Sequence, residues 1–218
     1  MSHPRITHTI DWPPRDVIIY GHSFVSRLKS ALDDLDNDSL LTDFGLTQAV
    51  GRIEYISRPG GHISDVRRDV MYFYSIQPKV VFLQIAGNDL RGDRDNSREV
   101  VDLLMETVSL LAHMSFVKAI FICQLLYRFP GKYYTLPQSY QYQQNVDKAN
   151  YLIQQRVGSI PYAEVIWWKL EGIKNNTGGS VIRRDGVHLD ELAMVLYYKA
   201  IRRALIVGYK KSRPCKQN

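Results

Sequence analysis

Residues 80–85, Val-Val-Phe-Leu-Gln-Ile, constrain the fold more than any other stretch of the chain. A run this short and this apolar, introduced by Pro78, reads as a strand buried on both faces. Such strands belong to parallel sheets covered by helices on either side. The surrounding pattern agrees. Asp16–Tyr20, Arg52–Ser57, Ala119–Cys123 and Val165–Trp168 have the length and composition of further strands. Helical patterns lie between them: Phe24 to about Leu32, Ile63–Ile76, Ser97–Met114, a helix ending near Arg156, and a last one from about Asp190 to Ile206. The Ser97–Met114 segment puts Leu103, Leu104, Val108 and Leu111 on one side, with Asn96 or Ser97 as its cap. Five β-then-α units predict an α/β fold: a three-layer α/β/α arrangement around a five-stranded parallel, flavodoxin-like sheet of order 2-1-3-4-5.

The chain has 218 residues, 45% of them hydrophobic, enough for one domain of this kind with a substantial core. No internal repeat or low-complexity linker divides it. The expected organisation is an N-terminal extension over 1–14, one domain over 15–207 and a basic tail over 208–218. No apolar run approaches the length of a membrane span. Met1 to Arg15 contain no apolar block of the signal-peptide kind, so an intracellular location is expected. The only cysteines are Cys123, in an apolar run, and Cys215, in a polar one, which argues against a disulfide framework. The net charge of +6 owes much to Arg202, Arg203, Lys210, Lys211, Arg213 and Lys216. Such a cluster serves as a solvated end, or draws nucleic acid or an anionic surface by non-specific electrostatics.

In a sheet of this type ligands bind beyond the carboxyl ends of the strands, near the switch point between strands one and three. The residues just past each expected strand therefore form one set. Gly21-His22-Ser23 follow the first strand, Pro59-Gly60-Gly61-His62 the second, and Gly87-Asn88-Asp89 the third. Asp185-Gly186-Val187-His188 come after the fifth strand and before the last helix. Taken singly, each has a commonplace use. Ser23 suits a helix N-cap, Gly60-Gly61 and Asp185-Gly186 suit turns, and Asn88-Asp89 suit a cap after a strand. Taken together, they bring a nucleophile, hydrogen-bond donors, a base and an orienting carboxylate to one rim. No Cys/His cluster suggests a metal, and no cofactor is required.

Gly21-His22-Ser23-Phe24-Val25, Gly60-Gly61, Gly87-Asn88-Asp89-Leu90 and Asp185-Gly186-Val187-His188 resemble, in order, the four sequence blocks of the SGNH hydrolases, also called the GDSL esterase/lipase family. The resemblance runs from about Asp16 to Ile206, and its most specific element is the Asp-x-x-His block. The α/β-hydrolase elbow G-x-S-x-G fits less well, because Val25 stands at its second glycine. The resemblance implies a serine esterase in which Ser23 is the nucleophile, His188 the general base and acid, and Asp185 its orienting partner. It also implies an oxyanion hole made by the Ser23 N–H, the Gly61 N–H and the Asn88 amide, with His22, Gly60 and Asp89 as tuning residues.

Two departures from the family pattern stand out. His22 occupies the place of the usual aspartate beside the nucleophile, and Ala86 that of a usual glycine, where a modest backbone adjustment is expected. Tyr127, Tyr133, Tyr134, Tyr140 and Tyr142 fall in a Tyr/Pro-rich insertion expected to overhang the rim. Without a large apolar lid, a small ester with a short acyl group such as acetyl is the expected substrate. SGNH-type domains also accompany RNA binding in proteins of animal non-LTR retrotransposons. The alternative is therefore a binding or scaffold domain with little turnover, although no RNA-recognition motif is present.

Overall fold

The computed structural model describes residues 17–33, 42–46, 51–173 and 182–211. Along them the chain runs β1 (Val17–Gly21), α1 (Ser23–Asp33), β2 (Ile53–Ser57), α2 (Ile63–Arg68), α3 (Val70–Ile76), β3 (Val80–Gln84), α4 (Ser97–Ala112), β4 (Ala119–Cys123), α5 (Leu136–Arg156), β5 (Glu164–Trp168) and α6 (Glu191–Lys211). All pairings are parallel and the strand order is β2-β1-β3-β4-β5, as the sequence pattern predicts. The N-terminal extension, residues 34–41, 47–50 and 174–181, and tail residues 212–218 lie outside the described residues.

Every side chain of β1, β3 and β4 is buried, and the strand period of two divides them between two cores. Ile18, Tyr20, Val81, Leu83, Ile120 and Ile122 face α2 to α5. Val17, Ile19, Val80, Phe82, Ala119 and Phe121 face α1 and α6. Burying each of these side chains other than Ala119 contributes about 1.5–3 kcal/mol, so the sheet is held mainly by its two apolar faces. Among the described residues no helix is long and apolar enough to cross a membrane.

Three elements differ from the sequence pattern. The single helix expected over Ile63–Ile76 is broken at Asp69, whose carboxylate is held away from solvent by three donors. These are the Tyr20 hydroxyl at 2.8 Å and Nε and Nη2 of Arg58, both at 2.9 Å. The helix expected to follow the aromatic insertion starts inside it. Gln138 reaches back to the Thr135 backbone N–H at 3.0 Å, and Pro137 sits in the first turn, so α5 is nucleated at Leu136. Residues 208–211, placed above in the tail, continue α6, because Gly208 is buried against Val80 and Phe121 of the sheet.

Past the end of β4 the chain loses its parallel neighbour, and a side chain replaces it. The Leu125 N–H donates to Asn150 Oδ1 and the Asn150 amide donates to the Leu125 carbonyl, both at 3.0 Å and both buried. One amide thus completes a ladder rung and fixes the segment leading to Arg128. Replacing Asn150 by Leu removes both of these buried bonds, so a loss of about 2–4 kcal/mol is expected. Urea unfolding measures it, and a loss below about 1 kcal/mol would show that the rung is not needed.

Candidate active site

The helix α1 begins at Ser23, which places His22 rather than Ser23 at the capping position. The serine side chain is not occupied in capping: its Oγ lies 3.0 Å from His188 Nε2. On the other side of the ring, His188 Nδ1 lies 2.7 Å from Asp185 Oδ2. Nδ1 therefore donates to the carboxylate, and Nε2 is left as the acceptor facing the serine hydroxyl. The remaining Asp185 oxygen accepts the backbone N–H groups of Val187 and His188, both at 2.9 Å. Burial alone would raise the pKa of this carboxyl. The His188 backbone and ring donors and the Val187 N–H outweigh it and bring the pKa down to about 2. Asp185 is thus ionised throughout the neutral range.

The Asp185–His188 turn owes its shape to Gly186, whose φ is +77°. A Cβ there would stand 2.2 Å from the Phe129 carbonyl, and the Phe129 N–H donates to Gly186 O at 2.8 Å. The segment after β4 therefore leans directly on the turn that carries the acid and the imidazole.

Arg58-Pro59-Gly60-Gly61 has the signature of a type II turn: proline second, glycine third with φ +72°, and a Gly61 N–H bond to Arg58 O at 2.7 Å. This corrects one expectation. The Gly61 N–H, taken from the family pattern as an oxyanion donor, is already engaged, because the turn needs it to close. What Gly61 offers is its carbonyl, which accepts the Asn88 amide at 2.9 Å. Asn88 is half-buried, and its Oδ1 accepts Nη2 of Arg128 at 2.5 Å. Asp89 turns away from the serine. It accepts the Ile63 N–H at 3.2–3.3 Å and faces His62 Nδ1 at 3.3 Å, tying the start of α2 to the end of β3. Ala86 keeps a left-handed φ of +79°. The backbone has thus not adjusted to the alanine; the alanine accepts the glycine-like conformation.

Arg128 is the residue that sequence reasoning missed. It follows β4, at the same end of the sheet as the other blocks. Its guanidinium lies 4.8 Å from the Tyr142 ring centroid and 5.4 Å from that of Tyr134, and Nη1 donates to the Tyr134 hydroxyl at 2.6 Å. Of the five tyrosines expected over the rim, Tyr142 is buried and donates to Gly87 O at 2.8 Å, and Tyr127 donates to Asp147 at 2.5 Å. Tyr133 and Tyr140 are exposed.

His22 is 4% exposed, its ring edge-on to Phe24 at 4.9 Å, and its Nδ1 has no hydrogen-bond partner among the described residues. Burial first, then the positive charge of Arg128 and the proximity of His188, lower its pKa to about 3. Among the described residues no group of three or more His, Cys, Asp or Glu is placed to hold a metal ion.

No family model matches the sequence, and no curated protein does. Solved structures do match. The chain is similar to a platelet activating factor from Streptococcus pneumonia, with a TM-score of 0.62 at 16% identity over 91% of this chain and 86% of that one. It is similar to a GDSL-like lipase from Bacteroides thetaiotaomicron, with a TM-score of 0.61 at 13% identity over 88% of each chain. An acetyl esterase crystallised with acetate gives a TM-score of 0.60 at 14% identity, over 91% of this chain and 99% of that one. At these identities the likeness is one of fold: the chain has the fold of the GDSL-type (SGNH) hydrolases.

The state of His22 has a consequence for stability. Folded, its imidazole stays neutral down to about pH 3; unfolded, it takes up a proton below about pH 6.5. Its contribution is therefore complete above pH 6.5 and is lost as pH falls from 6.5 toward 3. Between about pH 7 and pH 4.5 the loss is about 2–3 kcal/mol. The variant His22→Gln, with no proton to gain, is expected to lose that much less over the same interval in urea unfolding. Equal pH dependence in the two proteins would contradict a neutral, buried His22.

Proposed function

We propose that this chain, built on the fold of the GDSL-type lipases and acylhydrolases, is a serine esterase that cleaves short acyl esters through an acyl-enzyme. One observation carries the proposal: the continuous Ser23–His188–Asp185 hydrogen-bond chain at the carboxyl end of the sheet. The imidazole accepts the Ser23 proton as Oγ attacks the ester carbonyl, and then delivers it to the leaving alcohol. Water repeats the cycle on the acyl-enzyme. Asp185, ionised and held by three donors, keeps the ring in the tautomer that accepts at Nε2 and stabilises the imidazolium that forms.

Two donors serve the tetrahedral oxyanion. The Ser23 N–H lies in the first turn of α1 and has no hydrogen-bond partner among the described residues, as expected at a helix start. The Asn88 amide has one N–H on Gly61 O and a second to give. The developing charge also benefits from the positive end of α1.

A short acyl group is the reading favoured by the likeness in fold to an acetyl esterase. The depression of about 410 Å³ that Asn88 lines is otherwise lined by His62, Asp89, Arg91, Glu99, Val100 and Leu103 and by none of Ser23, Asp185 and His188, so it does not define the acyl site.

Wild-type protein is expected to react covalently with a fluorophosphonate and to hydrolyse p-nitrophenyl acetate, and Ser23→Ala to do neither. Failure of the wild type in both assays across about pH 6–9 would end the esterase proposal. Asp185→Asn is expected to fold normally and lose about 10²–10⁴-fold in kcat, since the amide can fix the wrong tautomer.

A further inference from the structure

Asn88 can act as an oxyanion donor only if its amide points the right way, and two neighbours decide that. The Gly61 carbonyl can only accept, and the Arg128 guanidinium can only donate. With Nδ2 on Gly61 and Oδ1 on Arg128 both bonds form. Flipped, the amide would set two acceptors face to face on one side and two donors on the other. Arg128 is itself held from behind: its carbonyl accepts Ser139 Oγ at 2.5 Å and Gln143 Nε2 at 3.1 Å from α5. Its head is clamped by the Tyr134 hydroxyl and lies over the Tyr134 and Tyr142 rings. Tyr142 in turn bonds Gly87, the residue before Asn88. The loop carrying the amide is therefore gripped at two adjacent residues by one cluster.

The charged head of Arg128 belongs to a half-buried residue. Arg52, Arg58, Arg67, Arg68, Arg91 and Arg94 each pair with a carboxylate. Among the described residues no carboxylate pairs with Arg128, the arginine that approaches Asn88. A cation desolvated without a counter-ion favours whatever negative charge develops beside it.

We infer that Arg128 is a positioning residue for the reaction, holding the Asn88 amide with its N–H₂ toward the nucleophile and lending its uncompensated charge to the oxyanion through that amide. This rests on the esterase proposal above, and the experiment separates the two. p-Nitrophenyl acetate kinetics are compared for the wild-type full chain, Asn88→Ala, Arg128→Ala, Arg128→Lys and the double variant Asn88→Ala/Arg128→Ala. Asn88→Ala is expected to lower kcat about 10²–10³-fold. Arg128→Ala should lower kcat about 10–100-fold with KM changed less than about threefold. Because the arginine acts through the asparagine, the double variant should fall within about threefold of Asn88→Ala alone. Arg128→Lys retains a donor-only, charged head and should recover at least about half of the logarithmic loss. If Arg128→Ala does not fold, the same cycle is run with Arg128→Lys.

Losses that multiply in the double variant, or an Arg128 variant with wild-type kcat, would overturn the inference while leaving the esterase proposal intact. A wild type that neither turns over nor labels would overturn both.

Discussion

The parallel pairing of β1 with β3 is the constraint on which the site depends. Its register sets Gly21 opposite Gln84 at the ends of two fully buried strands. Ser23 and Asn88 follow those strands at short, fixed distances in sequence, so they emerge side by side at the switch point, where the crossover connections of β1 and β3 lie on opposite faces of the sheet. A slip of one residue in either strand would exchange the two cores as well as move the site, since odd and even positions face different helices. Core packing and site geometry are thus enforced by the same register. The apolar faces that stabilise the sheet also bring Ser23 and Asn88 to the same end of neighbouring strands.

What hydrophobic contact cannot do is fix the loops beyond the strand ends, because their backbone groups have no ladder to join. Buried asparagines take over that task. Asn150 completes a rung for Leu125, Asn96 joins Arg91 to Asp89, and Asn145 holds the carbonyls of Arg91 and Arg94. Each carries a donor and an acceptor on one rigid plane, so one side chain satisfies two backbone groups. The rim is precise because polar atoms are paired there, at a depth where leaving them unpaired would cost more than the contacts gain.

The sequence made the strands, their order and the Ser23, Asp185 and His188 positions legible, because each depends on local signals: a short apolar run, or a polar block at a fixed place after it. Residues whose role comes from meeting something distant were not legible. Arg128 touches Asn88 from 40 positions away, and Asn150 serves Leu125 from 25. In the sequence both are polar residues in segments without a motif. The engagement of the Gly61 N–H was readable, since Pro-Gly at the centre of a turn commits the next N–H, but the family pattern pointed elsewhere. The extent of α6 misled for a related reason. A glycine near a helix end reads as a stop, whereas Gly208 lets the helix lie close against Val80 and Phe121.

The imidazole at position 22 and the guanidinium at position 128 belong to one electrostatic account. Both stand close to Gly87: a Cβ on that residue would lie 3.4 Å from His22 Nε2 and 3.8 Å from Arg128 Nη2. In the family that the sequence blocks resemble, this place beside the serine is held by a carboxylate. Here a carboxylate would meet a half-buried cation with no counter-ion among the described residues, and the resulting ion pair would compete with Asn88 for the guanidinium and cancel its charge. A neutral ring does neither. Its neutrality is enforced by burial and by Arg128 itself, whose charge opposes protonation of His22. On the proposed mechanism, the histidine at position 22 is therefore the residue that leaves Arg128 available to the oxyanion.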